Sequence, residues 1–404
     1  MTPSQKTFIS ILRCFVTGEK FLSESDVDWG EVIGISKQQS LLGMLYCVLE
    51  KAKDESSLPS DEQMTFLKTV YLWTVSQSVR NQAASEEVCN AFSIDRVVHV
   101  MLKGMTVKKY YPVPELRTMG DLDFLVYNKN KTVAGEVLTK LGYTCKGNVS
   151  AGKPVSDYQK ANINLELHTD LFYLWTEDSR TRIPIPLDWD SFKPENDGGY
   201  TLVPTKEYNM FLQIAHAAKH FRSKGCGFRY ILDFAFMLPH YDDWNSTSLA
   251  KLLSLHNLIK FYETIISYCV YRLGMQINNP PVRLDDATMS MLDAEFFREY
   301  VHGNRNQQLL DETVKAERTY KNMAVTKIYL IFSHILLPKK ALIKRYPFLK
   351  KYPWLACIAH VLRIFDLIFN KKSRTDASKK LEIAGNIDIE SARARIDFIE
   401  KIFG

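Results

Sequence analysis

One stretch constrains the fold more than any other: Leu102 to Val126, reading LKGMTVKKYYPVPELRTMGDLDFLV. The apolar run that leads into it (Val97, Val98, Val100, Leu102) has the length and β-branching of a buried strand. Lys103 and Gly104 follow, and Met105 to Tyr111 has room for one or two helical turns. Pro112 stops that segment, because a proline inside a helix loses a hydrogen bond and clashes with the preceding turn. After Arg117 and Gly120, Asp121-Leu-Asp123-Phe-Leu-Val126 reads as a second strand. Side chains two apart on a strand share a face, so Asp121 and Asp123 point the same way. Two neighbouring carboxylates repel each other when both are ionised. A hard cation such as Mg²⁺ or Mn²⁺ removes that cost, binding through one or two carboxylates together with substrate phosphates.

Alone, an Asp-x-Asp pair is a weak signal, and a strand start exposing two acids to solvent is the plain alternative. A third acid strengthens it. In Ile163-Asn-Leu-Glu166-Leu-His168 the apolar residues alternate with Asn164, Glu166 and His168, so Glu166 and His168 share one face of a further strand. Neighbouring strands lie about 5 Å apart, so an adjacent position would bring Glu166 beside the aspartates. There it can complete a metal site or accept a proton from an attacking hydroxyl. His168 can hydrogen-bond a ligand or orient a carboxylate.

At this point the sequence resembles the uncharacterised nucleotidyltransferase family, within the DNA polymerase beta-like nucleotidyltransferase superfamily. The resemblance is carried by the Leu-Lys-Gly at 102–104, the Arg-x-x-Gly-Asp-x-Asp at 117–123 and the Leu-Glu-Leu-His at 165–168. It continues in His216-x-x-x-His220 and in Arg229-x-x-x-Asp233, and runs roughly from Trp29 towards Pro353. It implies a small mixed-sheet α/β (α+β) core, Mg²⁺ or Mn²⁺ on Asp121, Asp123 and Glu166, and an NTP as substrate. It also implies a bacterial setting with polysaccharide-related gene neighbours. In one respect the chain departs from the superfamily: Gly104 is followed by Met105, so no serine is there to meet a phosphate.

Further residues are candidates for the nucleotide. Gly104 permits close backbone approach to a phosphate, with the N–H groups of the short helix behind it. Gly120 lies in the turn entering the aspartate strand. The planar fork of Arg117 suits a phosphate. Lys103 suits one too, although a strand-end lysine reaching for solvent is an equal alternative. His216 and His220 are one helical turn apart, but Ala217 stands where a zinc protease has its glutamate, which excludes that chemistry. Lys219, His220 and Arg229 are instead expected to line the cleft, and Arg229 is spaced to pair with Asp233.

The chain is organised around this block. Its 404 residues allow two or three domains. The expected division is a helical region at 1–93, the nucleotidyltransferase-like core at 94–203, a helical domain closing the cleft at 204–325, and a basic, apolar helical region at 326–404. Within the first, residues 61–92 form one long helix, with Phe66, Val70, Trp73 and Gln77 stepping along one side. Within the core, Lys129–Leu141 is a helix capped by Gly142, and strands are expected at 143–146, 156–160 and 163–168. The stretch 180–197 reads as a surface excursion, since Pro184 and Pro186 make a poor central strand. Helices then follow at 205–221, 228–238, 246–255, 257–273, 286–301, 307–335 and 387–403.

A net charge of +6 permits an anionic partner without selecting one. Seven scattered cysteines with no CxxC pair argue against a zinc site or a disulfide framework. The N-terminus lacks the pattern of a secretory signal, and no apolar run is long enough to span a membrane, so a cytoplasmic protein is expected. Residues 326–375 interleave Lys339, Lys340, Lys344, Arg345, Lys350 and Lys351 with Leu342, Ile343, Tyr346, Phe348 and Tyr352. That pattern suits either a peripheral contact with an anionic membrane or a helix pair packed on the body. Three functions remain open on sequence grounds. The first is NMP transfer to the hydroxyl of a sugar, metabolite, protein or RNA. The others are nucleotide binding without turnover, and a membrane-peripheral assembly role.

Overall fold

The computed structural model describes residues 1–22, 26–52, 57–146, 155–171, 187–223, 225–298 except 242 and 245, 342–369 except 344, and 389–403. The chain divides into two compact units, residues 1–302 with 403–404, and residues 303–402. The expected helix at 307–335, the 325/326 boundary and the basic cluster at 371–374 lie outside the described residues.

The first unit opens with helices. α1 (Pro3–Thr17) begins in a capping box between Thr2 and Gln5 and buries Phe8, Ile11, Leu12 and Phe15. α2 (Trp29–Gln38) and α3 (Leu42–Leu49) follow. α4 (Asp61–Ile94) starts from a second capping box, in which Ser60 Oγ accepts from the Gln63 N–H and Gln63 Oε1 accepts from the Ser60 N–H. Its buried side is Leu67, Thr74, Ser78, Asn81, Ser85, Val88 and Phe92. The stripe expected through Phe66 and Trp73 is rotated by one residue, and those two side chains are exposed. In the middle of the helix that side is made of small or polar residues, Thr74, Ser78, Asn81 and Ser85.

The sheet has seven strands among the described residues, in the order β3-β4-β5-β2-β1-β7-β6. β1 (His99–Met101) is antiparallel to the central β2 (Leu122–Val126), and the four-residue α5 (Gly104–Val107) lies in the connection between them. α6 (Lys131–Lys140) returns the chain to β3 (Thr144–Lys146), β4 (Val155–Lys160) and β5 (Ile163–His168). Gly142 ends α6 at φ +88°; its N–H bonds Thr139 O and that of Tyr143 bonds Leu138 O, a Schellman closure. β5 lies parallel to β2. Two further strands, β6 (Phe192–Pro194) and β7 (Thr201–Pro204), extend the other edge, with β7 parallel to β1. Part of the expected surface excursion at 180–197 is therefore strand. At three and four residues, each ending in proline, these strands leave no periodic signal.

One sheet face carries the core. Leu122, Phe124, Val126, Leu165, Leu167 and Tyr158 pack against Val88 and Phe92 of α4 and against Ala134, Val137 and Leu138 of α6. Each fully buried aliphatic or aromatic side chain contributes about 1.5–3 kcal/mol. A slip of one residue would expose that set and bury Glu166 and His168 in its place, so the apolar face fixes the register.

The helical layer continues through α7 (Lys206–Ser223), α8 (Phe228–Met237), α9 (Thr247–Leu255), α10 (Ile259–Leu273) and α11 (Asp286–Arg298). Thr205 Oγ1 accepts the Tyr208 N–H at the start of α7, as its sequence suggests. In the second unit, Leu342, Leu349 and Ala359 form a small core. α12 (Ala356–Phe369) and α13 (Ile389–Phe403) are the helices described near and at its end.

Candidate metal and nucleotide site

The sheet face opposite the core carries the charge. Asp123 and Glu166 sit directly across from one another in the β2–β5 register. Asp123 is 4% exposed, whereas the Glu166 side chain is 34% exposed and opens to solvent. His168 Nε2 stands 2.8 Å from Asp123 Oδ1 and 3.2 Å from Glu166 Oε2, joining the two carboxylates. One ligand atom each from Asp123, Glu166 and His168 lies within 4.8 Å of the others, the spacing of a metal site. Carboxylate oxygens suit a hard ion such as Mg²⁺ or Mn²⁺, and Mn²⁺ also accepts an imidazole. The donor set therefore fits a divalent cation.

Lys103 supplies the positive charge. Its Nζ donates to Asp123 Oδ1 at 2.5 Å and lies 3.9 Å from Glu166 Oε2. The residue adopts φ +50°, a left-handed backbone that favours glycine, between β1 and α5. Its carbonyl accepts from Thr106 Oγ1, and the preceding Leu102 N–H bonds Asp123 O, so the backbone is held from both sides.

The titrations follow from this packing. Burial would raise the Asp123 carboxyl, but Lys103 and His168 together hold it well below the carboxylate range. Glu166 is also lowered, chiefly by its hydrogen bond from His168. Asp121 has no such partner, and burial with the Asp123 charge pushes it up to about 6. Burial works against His168 protonation, yet its bonds to Asp123 and Glu166 raise it.

Arg117, not Arg229, is the partner of Asp233. Arg117, 6% exposed, turns inward: its Nε donates to Asp233 Oδ1 at 3.1 Å and its Nη2 to Asp233 Oδ2 at 2.7 Å. Tyr111 adds a third donor to Asp233 Oδ1 at 2.7 Å. The fork of Arg117 is thus committed to the fold and is not open to a phosphate. Asp233 has Arg117 as partner, not the Arg229 one turn away, because Arg229 donates to Thr118 O at 3.2 Å instead. Arg229 also lies near enough to Asp121 to draw its titration downward, and its buried Nε has no hydrogen-bond partner among the described residues.

Gly104 has a reason other than a phosphate. A Cβ there would lie 2.5 Å from Arg117 Nη1, so the glycine admits the guanidinium. Gly120 has open space where a Cβ would be, and its carbonyl accepts from Asn164 Nδ2 at 3.3 Å. From α7, His216 Nε2 and His220 Nε2 meet at 3.1 Å, with the Tyr230 ring against both. Burial lowers His216 well below the usual imidazole range, with help from the charges of Lys103, His220, Lys219 and Arg229. Asp157, opposite Glu166 on β4, was missed by the sequence reading although the alternation of β4 puts it on this face.

The fold and site define a class: a mixed-sheet α/β protein with a carboxylate–histidine cluster on neighbouring strands and cations gathered beside it. The chain belongs to the uncharacterised nucleotidyltransferase family, whose model matches residues 25–274. No curated protein and no solved structure matches it.

Proposed function

We propose that the protein transfers a nucleoside monophosphate from an NTP to an acceptor hydroxyl and releases pyrophosphate. The observation that carries this reading is the cross-strand pairing of Asp123 with Glu166, in a chain of a nucleotidyltransferase family. Asp121, Asp123 and Glu166 would hold two divalent ions, Mg²⁺ or Mn²⁺. Bound there, the ions neutralise phosphate charge and favour the deprotonated hydroxyl. The acceptor oxygen forms a bond to the α-phosphorus as the bond to pyrophosphate breaks, and Glu166, the more open carboxylate, takes the hydroxyl proton. His168 donates to Asp123 and Glu166 and fixes their orientation. Lys103, Lys219, His220 and Arg229 would meet the triphosphate, while Gly120 leaves room for it beside β2. Arg117 acts at one remove, by anchoring the segment that leads into β2. Sugars, metabolites, protein side chains and RNA ends all supply a suitable acceptor.

Calorimetric titration of each NTP with Mg²⁺, on the wild type and on Asp121→Ala/Asp123→Ala, tests the reading. Binding of an NTP that disappears in the double variant supports it. Binding without pyrophosphate release, across a panel of acceptors, would favour a nucleotide-binding module. No binding of any NTP would overturn the proposal.

A second reading concerns the other unit, where one observation favours a membrane contact. Trp354, Ile358, Val361, Leu362 and Phe365 form an exposed apolar row on and just before α12, near the exposed Arg345 and Lys351. An apolar row beside cations suits the boundary of an anionic bilayer. No helix among the described residues is long and apolar enough to cross a membrane. Sedimentation with vesicles containing phosphatidylserine should carry the protein down at low salt, and Trp354→Glu should release it. Equal recovery with neutral vesicles would exclude an electrostatic anchor.

A further inference from the structure

Lys103 occupies a position that the proposed metal also needs. Its ammonium lies 2.5 Å from Asp123 Oδ1 and 3.9 Å from Glu166 Oε2, on the same oxygens that would coordinate a divalent ion. Metal–oxygen bonds are roughly 2.1 Å for Mg²⁺, so an ion shared by those oxygens would sit against the ammonium. Two cations at that separation, with one pair of carboxylates between them, repel strongly. The backbone at Lys103 is not free to withdraw. It is pinned by the Leu102–Asp123 bond and by the two amide N–H groups, of Thr106 and Val107, that meet its carbonyl. The side chain, although bonded to Asp123, can turn away from it by rotation of its stem. It is a long flexible stem, 26% exposed, and the charge of its ammonium is felt at His216 beside Lys219 and Arg229.

We propose that Lys103 is the resident counter-ion of the carboxylate pair, and that an arriving divalent ion displaces its ammonium onto the triphosphate that accompanies the ion. This inference rests on the metal-dependent nucleotide reading above. Its consequence is ordered loading. Without nucleotide, the metal must compete with a tethered cation for the carboxylate oxygens. With nucleotide present, the phosphates take the ammonium and the site opens to the ion. The positive φ of Lys103 accompanies this arrangement, in which its side chain leaves the end of β1 and reaches the carboxylates of β2 and β5. The reciprocity is thermodynamic: whatever nucleotide does for the metal, the metal does for the nucleotide.

The test is binding of Mn²⁺, read from the electron paramagnetic resonance of the free ion, on the full chain with and without the NTP that binds. In Lys103→Met the ion alone should bind about tenfold more tightly than in the wild type, within the usual range of coupling between two ligands. In the same variant the NTP should bind about tenfold more weakly in saturating Mn²⁺, since the ammonium that would meet it is gone. Opposite shifts are the signature, because a merely structural lysine would weaken both. Lys103→Arg should keep the wild-type order, and Lys103→Gln, the second neutral variant, should show the same opposite shifts expected of Lys103→Met. Wild-type Mn²⁺ binding with no gain in either neutral variant overturns the counter-ion role alone. Absence of Mn²⁺ binding in every variant, with nucleotide or without, overturns the metal reading as well.

Discussion

Asp123 and Asp233 are both buried aspartates that meet a cation, yet the two surroundings differ in what they leave free. Asp233 accepts two bonds from the Arg117 fork and one from Tyr111, all among buried groups. Asp123 meets a lysine and a histidine at one oxygen, beside the half-open Glu166 and the partly exposed Asp121. A bidentate guanidinium is a rigid, permanent partner, whereas an ammonium is a point charge on a flexible stem. The first arrangement holds the segment 111–117 onto α8. The second keeps carboxylate lone pairs within reach of a ligand. Their chemistry separates the two pairs more cleanly than burial does.

Perturbing each aspartate should break the molecule differently. Asp233→Ala leaves Arg117 buried and uncompensated, and should cost about 3–5 kcal/mol in urea or thermal unfolding. Asp123→Asn should keep most of that stability and lower NMP transfer by about a hundredfold or more, as expected when a preorganised charge is removed. If Asp123→Asn unfolds the chain as readily as Asp233→Ala, the distinction fails. Gly104→Ala tests the link between the two regions, since its methyl would press on Arg117 Nη1 and Met119. Overpacking of that kind should cost about 1–3 kcal/mol, measured by the same melts.

The smallest effect concerns pH. Asp121 is raised from 3.8 to about 6, so the folded chain holds a proton that the unfolded chain releases sooner. Stability on this account falls as pH rises between those two values. Asp121→Asn should therefore be more stable than the wild type at pH 7 by about 1 kcal/mol, after discounting for exposure, and should lose the advantage near pH 4. A gain that persists at pH 4 would assign the effect to packing instead.

Part of this was legible in the sequence. Alternation put Glu166 and His168 on one face of β5, because a half-buried strand writes its two faces into consecutive residues; Asp121 falls just before β2 and outside the cluster of Asp123, Glu166 and His168. Gly142 announced its cap by local chemistry. The cross-strand register of Asp123 and Glu166 was not legible, since nothing local states which strands are neighbours. Nor was the partner of Asp233: spacing favoured Arg229 four residues away, while the fold supplied Arg117, 116 residues away. The same long-range contact explains Gly104, whose glycine admits a side chain no local rule could have placed there. On α4 the buried side runs through Thr74, Ser78 and Ser85, one residue on from the side that carries Phe66 and Trp73.

The central claim is that β2 and β5 together hold the ion that positions the nucleotide. A crystal of the protein with Mn²⁺ and a non-hydrolysable NTP analogue, with anomalous scattering collected at the manganese edge, tests it most directly. The account predicts a manganese peak about 2.1–2.2 Å from oxygens of Asp123 and Glu166, with a phosphate oxygen completing its shell. Manganese bound away from both carboxylates, with Lys103 still bonded to Asp123, would contradict it.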